Sequence, residues 1–254
     1  MVQDKIYIYG KHALMEALLH RPKVLSKIFL APQADDAKLR ELAQKHGISV
    51  GALGSGNAPR ELGDVAHQGV VGVVSQKELM VPYDTFANEL VINPDTALVL
   101  LNEVQDPHNV GAVIRSAVAF GISGVLIPEH NQAQVTGAVA KVSAGMVFRV
   151  PLVAIGNVNY TIRDLKERGF WVYGLEGGGA NPLPKETFDT PALFILGNEA
   201  KGIREKTREI CDILLSIPIH PQCESLNAAA GMAITLYAWS IRHSGASTKT
   251  KVKK

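Results

Sequence analysis

The chain has 254 residues, with 26 Lys and Arg against 24 Asp and Glu, a formal charge of +2, and 46% of its residues are apolar. Such a composition can bury a proper core in one large or two ordinary domains, which excludes an intrinsically disordered chain. No apolar run approaches the roughly 18 residues of a membrane-spanning helix, the start Met1-Val2-Gln3-Asp4-Lys5 lacks a signal-peptide layout, and Cys211 and Cys223 alone cannot build a disulfide framework; a cytoplasmic location is expected.

Residues 1–77 hold ten Lys and Arg against seven Asp and Glu. Apolar periodicity predicts a helix around Ala13–Leu19, a strand at Lys27–Leu30, a helix over Asp36–Lys45 and strands at Ile48–Val50 and Val70–Val74, with a Gly/Pro loop at Gly54–Pro59. These short elements make one small α/β domain. From Glu78 to Thr96 there are four acids and no base, and Pro82 and Pro94 punctuate the run; residues 78–95 are read as a linker.

Beyond it, residues 96–243 alternate strand-like and helix-like runs. Strands are predicted at Ala97–Leu101, Val125–Ile127, Val150–Val153, Trp171–Leu175, Ala192–Leu196 and Ile213–Ile217, and helices at Val110–Ala119, Thr136–Ala144, Asn159–Glu167, Arg204–Glu209 and Ser225–Ile241. Such alternation means a parallel α/β sheet, whose ligands sit outside the carboxyl ends of its strands. The end of the chain, 244–254, carries Lys249, Lys251, Lys253 and Lys254 and is expected to be a solvated, basic, flexible tail. Composition alone does not announce a nucleic-acid binder, because no domain is strongly basic.

Three segments after predicted strands carry candidate chemistry. In Asn109-Val110-Gly111-Ala112-Val113-Ile114-Arg115, Asp106 or Asn109 can serve as a helix cap, while Gly111 inside a helical run costs about 1 kcal/mol and points to close approach by a ligand or another backbone. Gly197-Asn198-Glu199-Ala200-Lys201-Gly202 has the glycines of a phosphate loop, but Gly202 is followed by Ile203-Arg204, so a Walker loop is excluded. The chain also lacks the glycine fingerprint of a nicotinamide site, despite Gly177-Gly178-Gly179. The third segment runs Ile217-Pro218-Ile219-His220-Pro221-Gln222-Cys223-Glu224-Ser225-Leu226-Asn227; Ser225 reads as a natural N-cap of the last helix. His220 and Cys223 lack the further ligands a metal site needs, and Ser225 lacks a nucleophile elbow.

Taken together, Asn-x-Gly-x-x-x-Arg, then about eighty residues later Gly-Asn-Glu-x-x-Gly, then Ile-Pro-Ile followed by Ser-Leu-Asn, resembles the SpoU family of RNA ribose 2′-O-methyltransferases. The resemblance runs from Ile6 to His243, since Tyr9-Gly10-Lys11-His12-Ala13 and His67-Gln68-Gly69-Val70 also look like the family's small RNA-binding domain. It is nearest the branch that methylates a guanosine in the peptidyl-transferase region of 23S ribosomal RNA. One departure is Pro221, where family members often carry Gly.

The resemblance implies an α/β fold: a C-terminal parallel-sheet domain with the deep trefoil knot of SPOUT proteins, preceded by a small L30e-like α/β RNA-binding domain. It implies S-adenosylmethionine as cofactor, bound at Leu175, Leu196, Gly197, Ile217, Ile219 and Leu226 with Glu176 nearby, and no metal. Arg115 is implied as the catalytic group, placed by Asn109, Glu199, Ser225 and Asn227. Because a guanidinium ordinarily stays protonated, Arg115 is open to two roles: base, or anchor of a phosphate and of the developing alkoxide. Lys11, His12, Arg21 and Lys23 are first choices for RNA contacts, and a homodimer joined at the knotted domain is implied. A transfer RNA enzyme, an enzyme for another ribosomal RNA loop, and a silent RNA-binding assembly factor are the alternatives.

Overall fold

The computed structural model describes residues 5–53, 67–178, 180–243, 245 and 246; the loop Gly54–Pro59 and the basic tail from Lys249 lie outside them. Strand β1 (Lys5–Tyr9) turns Ile6 and Ile8 inward in strict alternation, as a strand with one covered face must. Helix α1 (Lys11–His20), β2 (Leu25–Leu30), α2 (Ala37–Lys45), β3 (Ser49–Ala52) and β4 (Val70–Ser75) follow. Asp36 caps α2 by accepting from Leu39 N at 3.0 Å. The strands form a sheet in the order β1-β4-β2-β3. β1 is absent from the sequence expectation because two isoleucines set between tyrosines are too short an alternation to read.

The stretch expected as a linker is built into the larger unit. The last turn of α3 (Gln76–Leu79) runs into it, and it contains β5 (Met80–Pro82) and α4 (Tyr83–Glu89); β5 pairs in parallel with the eighth strand at the edge of the second sheet, and Phe86 is buried. Pro82 is tolerated because an edge strand can spare an N–H.

The second sheet is formed by β5 with β6 (Ala97–Leu101), β7 (Gly124–Pro128), β8 (Leu152–Ile155), β9 (Trp171–Leu175), β10 (Asn181–Pro182), β11 (Ala192–Leu196) and β12 (Ile213–Ser216). All its pairings are parallel, in the order β10-β12-β9-β11-β6-β7-β8-β5. Every residue of β6, β7 and β11 is buried, which is why these strands read as unbroken apolar runs. Helices α5 (Pro107–Ala119), α6 (Gly137–Val142), α7 (Val158–Glu167), α8 (Glu205–Arg208) and α9 (Ala228–Ser240) cover it. From β6 the chain steps outward to β7 and β8, then crosses to the other side for β9 to β12. The strand order therefore reverses between β6 and β11, where open α/β sheets place their ligands.

The two sheets belong to units that meet closely. A Cβ on Gly137 would lie 2.1 Å from the Tyr7 carbonyl oxygen, so α6 opens on a glycine because β1 crosses it there. Beside this crossing Arg149 clasps Glu16 with two bonds, of 2.5 and 2.9 Å. Burial pushes the Glu16 carboxyl up, but the Arg149 pairing outweighs it and holds the group below the usual carboxylate range.

Candidate active site

Four loops converge at the carboxyl edge of the second sheet: those after β6, β9, β11 and β12. In the loop after β11 a Cβ on Gly197 would sit 2.3 Å from the carbonyl carbon of Gly202, so the backbone doubles back on itself there. Asn198 and Gly202 exchange backbone bonds of 2.9 Å each way. The Asn198 carboxamide fixes the rest, accepting from the N–H groups of Ala200 and Lys201 at 3.0 Å and donating to the Glu103 carbonyl at 2.9 Å. The loop is thereby tied to the segment after β6.

Glu199 sits at that junction. Its Oε1 accepts from Asn109 Nδ2 at 2.9 Å and from Asp106 N at 3.2 Å, and its Oε2 accepts from Gln105 N at 3.2 Å. Burial raises its pKa, yet these donors and its own N–H together bring it below the ordinary value. Asn109, on the first turn of α5, accepts through Oδ1 from Asn227 Nδ2 at 3.0 Å. Asn227 in turn caps α9, taking the N–H groups of Ala229 and Ala230 at 2.9 and 3.2 Å. The cap of the last helix is thus Asn227 and not Ser225, because the Asn side chain can bridge to Asn109 while satisfying the helix end. Asp106 caps α5 through its own side chain, leaving Asn109 free for Glu199. Gly111 is explained by backbone approach: a Cβ there would lie 3.0 Å from the Val139 carbonyl and 2.8 Å from Val142 Cβ on α6.

Against this junction lies a cleft of about 410 Å³, within the ordinary size of a cofactor site. Leu175, Leu196, Gly197, Ile217, Ile219 and Leu226 all line it, together with Glu199, Ser225, Asn227 and Glu176. Arg208 holds Glu176 with bonds of 2.9 and 3.2 Å at its rim. Pro221 lies in the wall. Close by, Gln132 brackets Val104 with bonds of 2.9 Å to both its N–H and its carbonyl, fixing the segment that presents Gln105 and Asp106. Nothing in the sequence points to Gln132, and the Gly-Asn-Glu motif gives Asn198 no role of its own, because an amide's value as a brace depends on what lies across from it.

Other expected residues fall elsewhere. Arg115 is exposed on α5, outside the cleft and with no hydrogen-bond or ion-pair partner among the described residues. Lys11 and His12 line a cleft between the two units with Tyr9 and Lys141, whose ammonium stands 5.3 Å from the Tyr9 ring centre. Arg21 and Lys23 lie past the opposite end of α1, about 15 Å away for ten residues. Arg21 is committed to the Glu78 carbonyl at 2.9 Å, so the four do not form one patch. His220 accepts from Gln222 N and Cys223 donates to the Ser225 carbonyl, both within the loop.

A parallel sheet whose last loops enclose a cofactor-sized cleft beside a carboxamide–carboxylate junction defines an α/β protein with a small-molecule site at the carboxyl ends of its strands. Family models resolve which family this is. Residues 96–237 match the SpoU rRNA methylase family and residues 7–80 match the RNA 2′-O ribose methyltransferase substrate-binding domain, so the chain belongs to the SpoU family of methyltransferases. It is 34% identical to the 23S rRNA (guanosine-2′-O-)-methyltransferase RlmB of Nitrosomonas europaea, over 94% of this chain and 92% of that one. With the enzyme of the same name from Shewanella oneidensis it shares 32% identity over 91% and 94%. The fold is shared with the AdoMet complex of the SpoU methyltransferase AviRb from Streptomyces viridochromogenes, with a TM-score of 0.79, 24% identity and coverage of 95% and 92%. An AdoMet-bound rRNA methyltransferase from Sinorhizobium meliloti aligns at a TM-score of 0.77, 22% identity, over 94% and 88%.

Proposed function

We propose that this chain methylates the ribose 2′-hydroxyl of a guanosine in 23S ribosomal RNA, in the cytoplasm, using S-adenosylmethionine. The observation that carries the reading is the junction of Asn109, Glu199 and Asn227, drawn from residues 90 and 118 positions apart and set beside a cofactor-sized cleft. The likeness to the RlmB enzymes over more than nine-tenths of the chain supports the target. The cleft suits the donor: five apolar side chains can cover an adenine's faces while the backbone at Gly197, left free of a Cβ, meets its edge. Leu196, Gly197, Ile217, Ile219, Leu226 and Leu175 would hold it.

When bound, S-adenosylmethionine supplies a methyl group on a positively charged sulfur. The chain's part is alignment and proton handling. The apolar side chains of the wall would leave a bound sulfonium poorly solvated, which would favour loss of its charge by methyl transfer. Glu199, held ionised by its donors, is a weak proton acceptor; its work is to lock Asn109 and the Gln105–Asp106 backbone in place. Asn227 and Ser225 face the same cleft and orient the ribose. The base or alkoxide-stabilising role falls to Arg115 from the second subunit of a homodimer. Supporting this, Ile234 and Tyr237 on α9 and Ile241 at its C-cap make an exposed apolar stripe at helical spacing on a helix that packs against α5. In the knotted arrangement we infer, the segment after β12 threads through the loop after β11. Lys11 and His12 belong to the RNA-facing side of the small domain.

Mapping ribose methylation on total RNA with and without the gene tests the reading. Loss of one 23S guanosine methylation supports it; loss of a transfer RNA site, or no loss, overturns the target.

A further inference from the structure

A second cavity, of about 520 Å³, opens over the carboxyl ends of β6, β7 and β8, and it shares no lining residue with the cofactor cleft. The two are separated by the segment after β6. Glu103 lines the second cavity while its carbonyl receives Asn198 from the cleft side at 2.9 Å. Gln105 links both as well: its side chain donates to the Asn131 carbonyl at 2.7 Å, and its backbone N–H serves Glu199. Whatever seats in the second cavity therefore bears on the strip of chain that holds Glu199.

Several polar groups of this cavity are unspent. Asn102 is 2% exposed, its Oδ1 is shut off from solvent with no donor, and no described residue bonds the other end of its carboxamide. Its place is not loose, since its backbone N–H donates to the Leu196 carbonyl at 2.7 Å. Buried side-chain amides are seldom left unspent, and here the nitrogen, which is not shut off as the oxygen is, is a donor still open to a partner. The side chains of Asn131, His130 and Lys206 also stand at the cavity without partners among the described residues. The acids are accounted for: Glu103 pairs with Arg204, and Glu205 with Arg208 at 3.8 Å. At Gly156 an added Cβ would meet nothing within 4 Å, so one wall is open backbone against which a flat group can lie.

A carboxamide offers one donor and one acceptor side by side, the complement of a nucleobase edge, and single-stranded RNA is read by such contacts to splayed-out bases. A phosphate would use only the donor half of the Asn131 carboxamide and leave its acceptor without a partner. We propose that this cavity takes the base of a nucleotide next to the methylated one, its edge read by the Asn131 carboxamide with Asn102 Nδ2 as a further donor, and its phosphate met by Lys206. The inference rests on the RNA methyltransferase reading above.

The test is methyl transfer to ribosomal RNA transcripts in which each base flanking the target is removed in turn, leaving the sugar. One abasic position should lower wild-type kcat/KM about tenfold, the scale of one paired base edge. Asn131→Gly, which suits that residue's φ of +55° while deleting the carboxamide, and Lys206→Ala should each weaken transfer to intact RNA. Asn131→Gly should lose nothing further on that same abasic transcript. Both variants should bind S-adenosylmethionine within about twofold of wild type. If enzyme and RNA changes multiply independently, or if no flanking base matters while the wild type still methylates its target, the proposal is overturned. A wild-type enzyme that methylates no transcript or native ribosomal RNA overturns the functional reading itself and the base site with it.

Discussion

Asn109 and Glu199, 90 residues apart in the chain, share a hydrogen bond of 2.9 Å in which the carboxamide donates and the carboxylate accepts. The opposite end of the same carboxamide accepts from Asn227 at 3.0 Å. Only a side chain with a donor on one side and an acceptor on the other can stand between these two. Asn109→Asp keeps the shape but sets two carboxylates together, so the pair must share a proton or part. We expect kcat/KM to fall by about 10² or more, the cost of displacing aligned groups by an ångström. Steady-state methyl transfer measures it, and a loss under about threefold would show that the junction does not align the site.

Glu199 should also tie stability to pH. Its pKa in the folded protein is below the ordinary value because Asn109 and backbone N–H groups stabilise the charged form against the cost of burial. A depressed carboxyl stabilises the fold above its unfolded pKa of about 4.3 and loses that contribution as pH falls through the folded value. Urea unfolding of wild type and Glu199→Gln should therefore differ most near neutrality, and the gap should close on acidification. A gap that is constant with pH contradicts the assignment.

The Glu16–Arg149 clasp fixes the small domain against the larger one. Arg149→Ala leaves Glu16, 5% exposed, without its arginine partner and with only the His20 ring 3.4 Å away. Because the arginine side chain is itself 38% exposed, solvent screens the pair, and we expect a loss of about 1–2 kcal/mol rather than the larger cost of a fully buried pair. That corresponds to a fall in Tm of roughly 2–8 °C for a chain of this size. Glu16 also has a depressed pKa, so the effect should be largest above about pH 4.3 and fade as pH falls through its folded value. Calorimetry at two pH values checks both magnitude and sign.

What the sequence made legible follows from the range of the forces involved. β6 and β11 are wholly buried between helices, so their apolar runs announce themselves locally. Asn109, Glu199 and Asn227 were identifiable as residue types at a spacing, while the way Asn109 bridges the other two was not, since it depends on three loops meeting. The three-residue strand β5 lacks a period to detect, and its membership in the sheet comes from pairing with β8. Gly137 likewise reads as an unremarkable helix start until β1 is laid across it. Asn102 gave no signal at all, because an amide without a partner is a property of its surroundings.

Gly197→Ala should separate cofactor binding from folding. The new Cβ would stand 2.3 Å from Gly202 carbonyl carbon and 2.4 Å from Ile203 N, backbone atoms that cannot rotate aside. The doubled-back loop must open, taking the cleft wall and Glu199 with it. β11 and the core beneath it need not change. We expect binding of S-adenosylmethionine to weaken by about tenfold or more while the far-ultraviolet circular dichroism stays as in wild type. Unchanged affinity would remove this loop from the cofactor site.

Arg115 poses the sharpest test of the proposed dimeric site. Six residues beyond Asn109 on α5, it lies about 9 Å further along the axis and on a different face, and it has no bonding partner among the described residues. If it serves the site of the second subunit, Arg115→Ala and Glu199→Ala are each inactive alone but damage different halves of a composite site. In a heterodimer one site carries both lesions and the other carries none. Mixing equal amounts after subunit exchange makes half the dimers heterodimers, and each restores one site of two, so about a quarter of wild-type activity should return. Arg115→Ala alone should lose roughly 10² to 10⁴ in turnover. No recovery in the mixture, with exchange verified by tagged subunits, would place Arg115 in its own subunit's site. Retention of more than about a tenth of turnover by the single variant would deny it either chemical role.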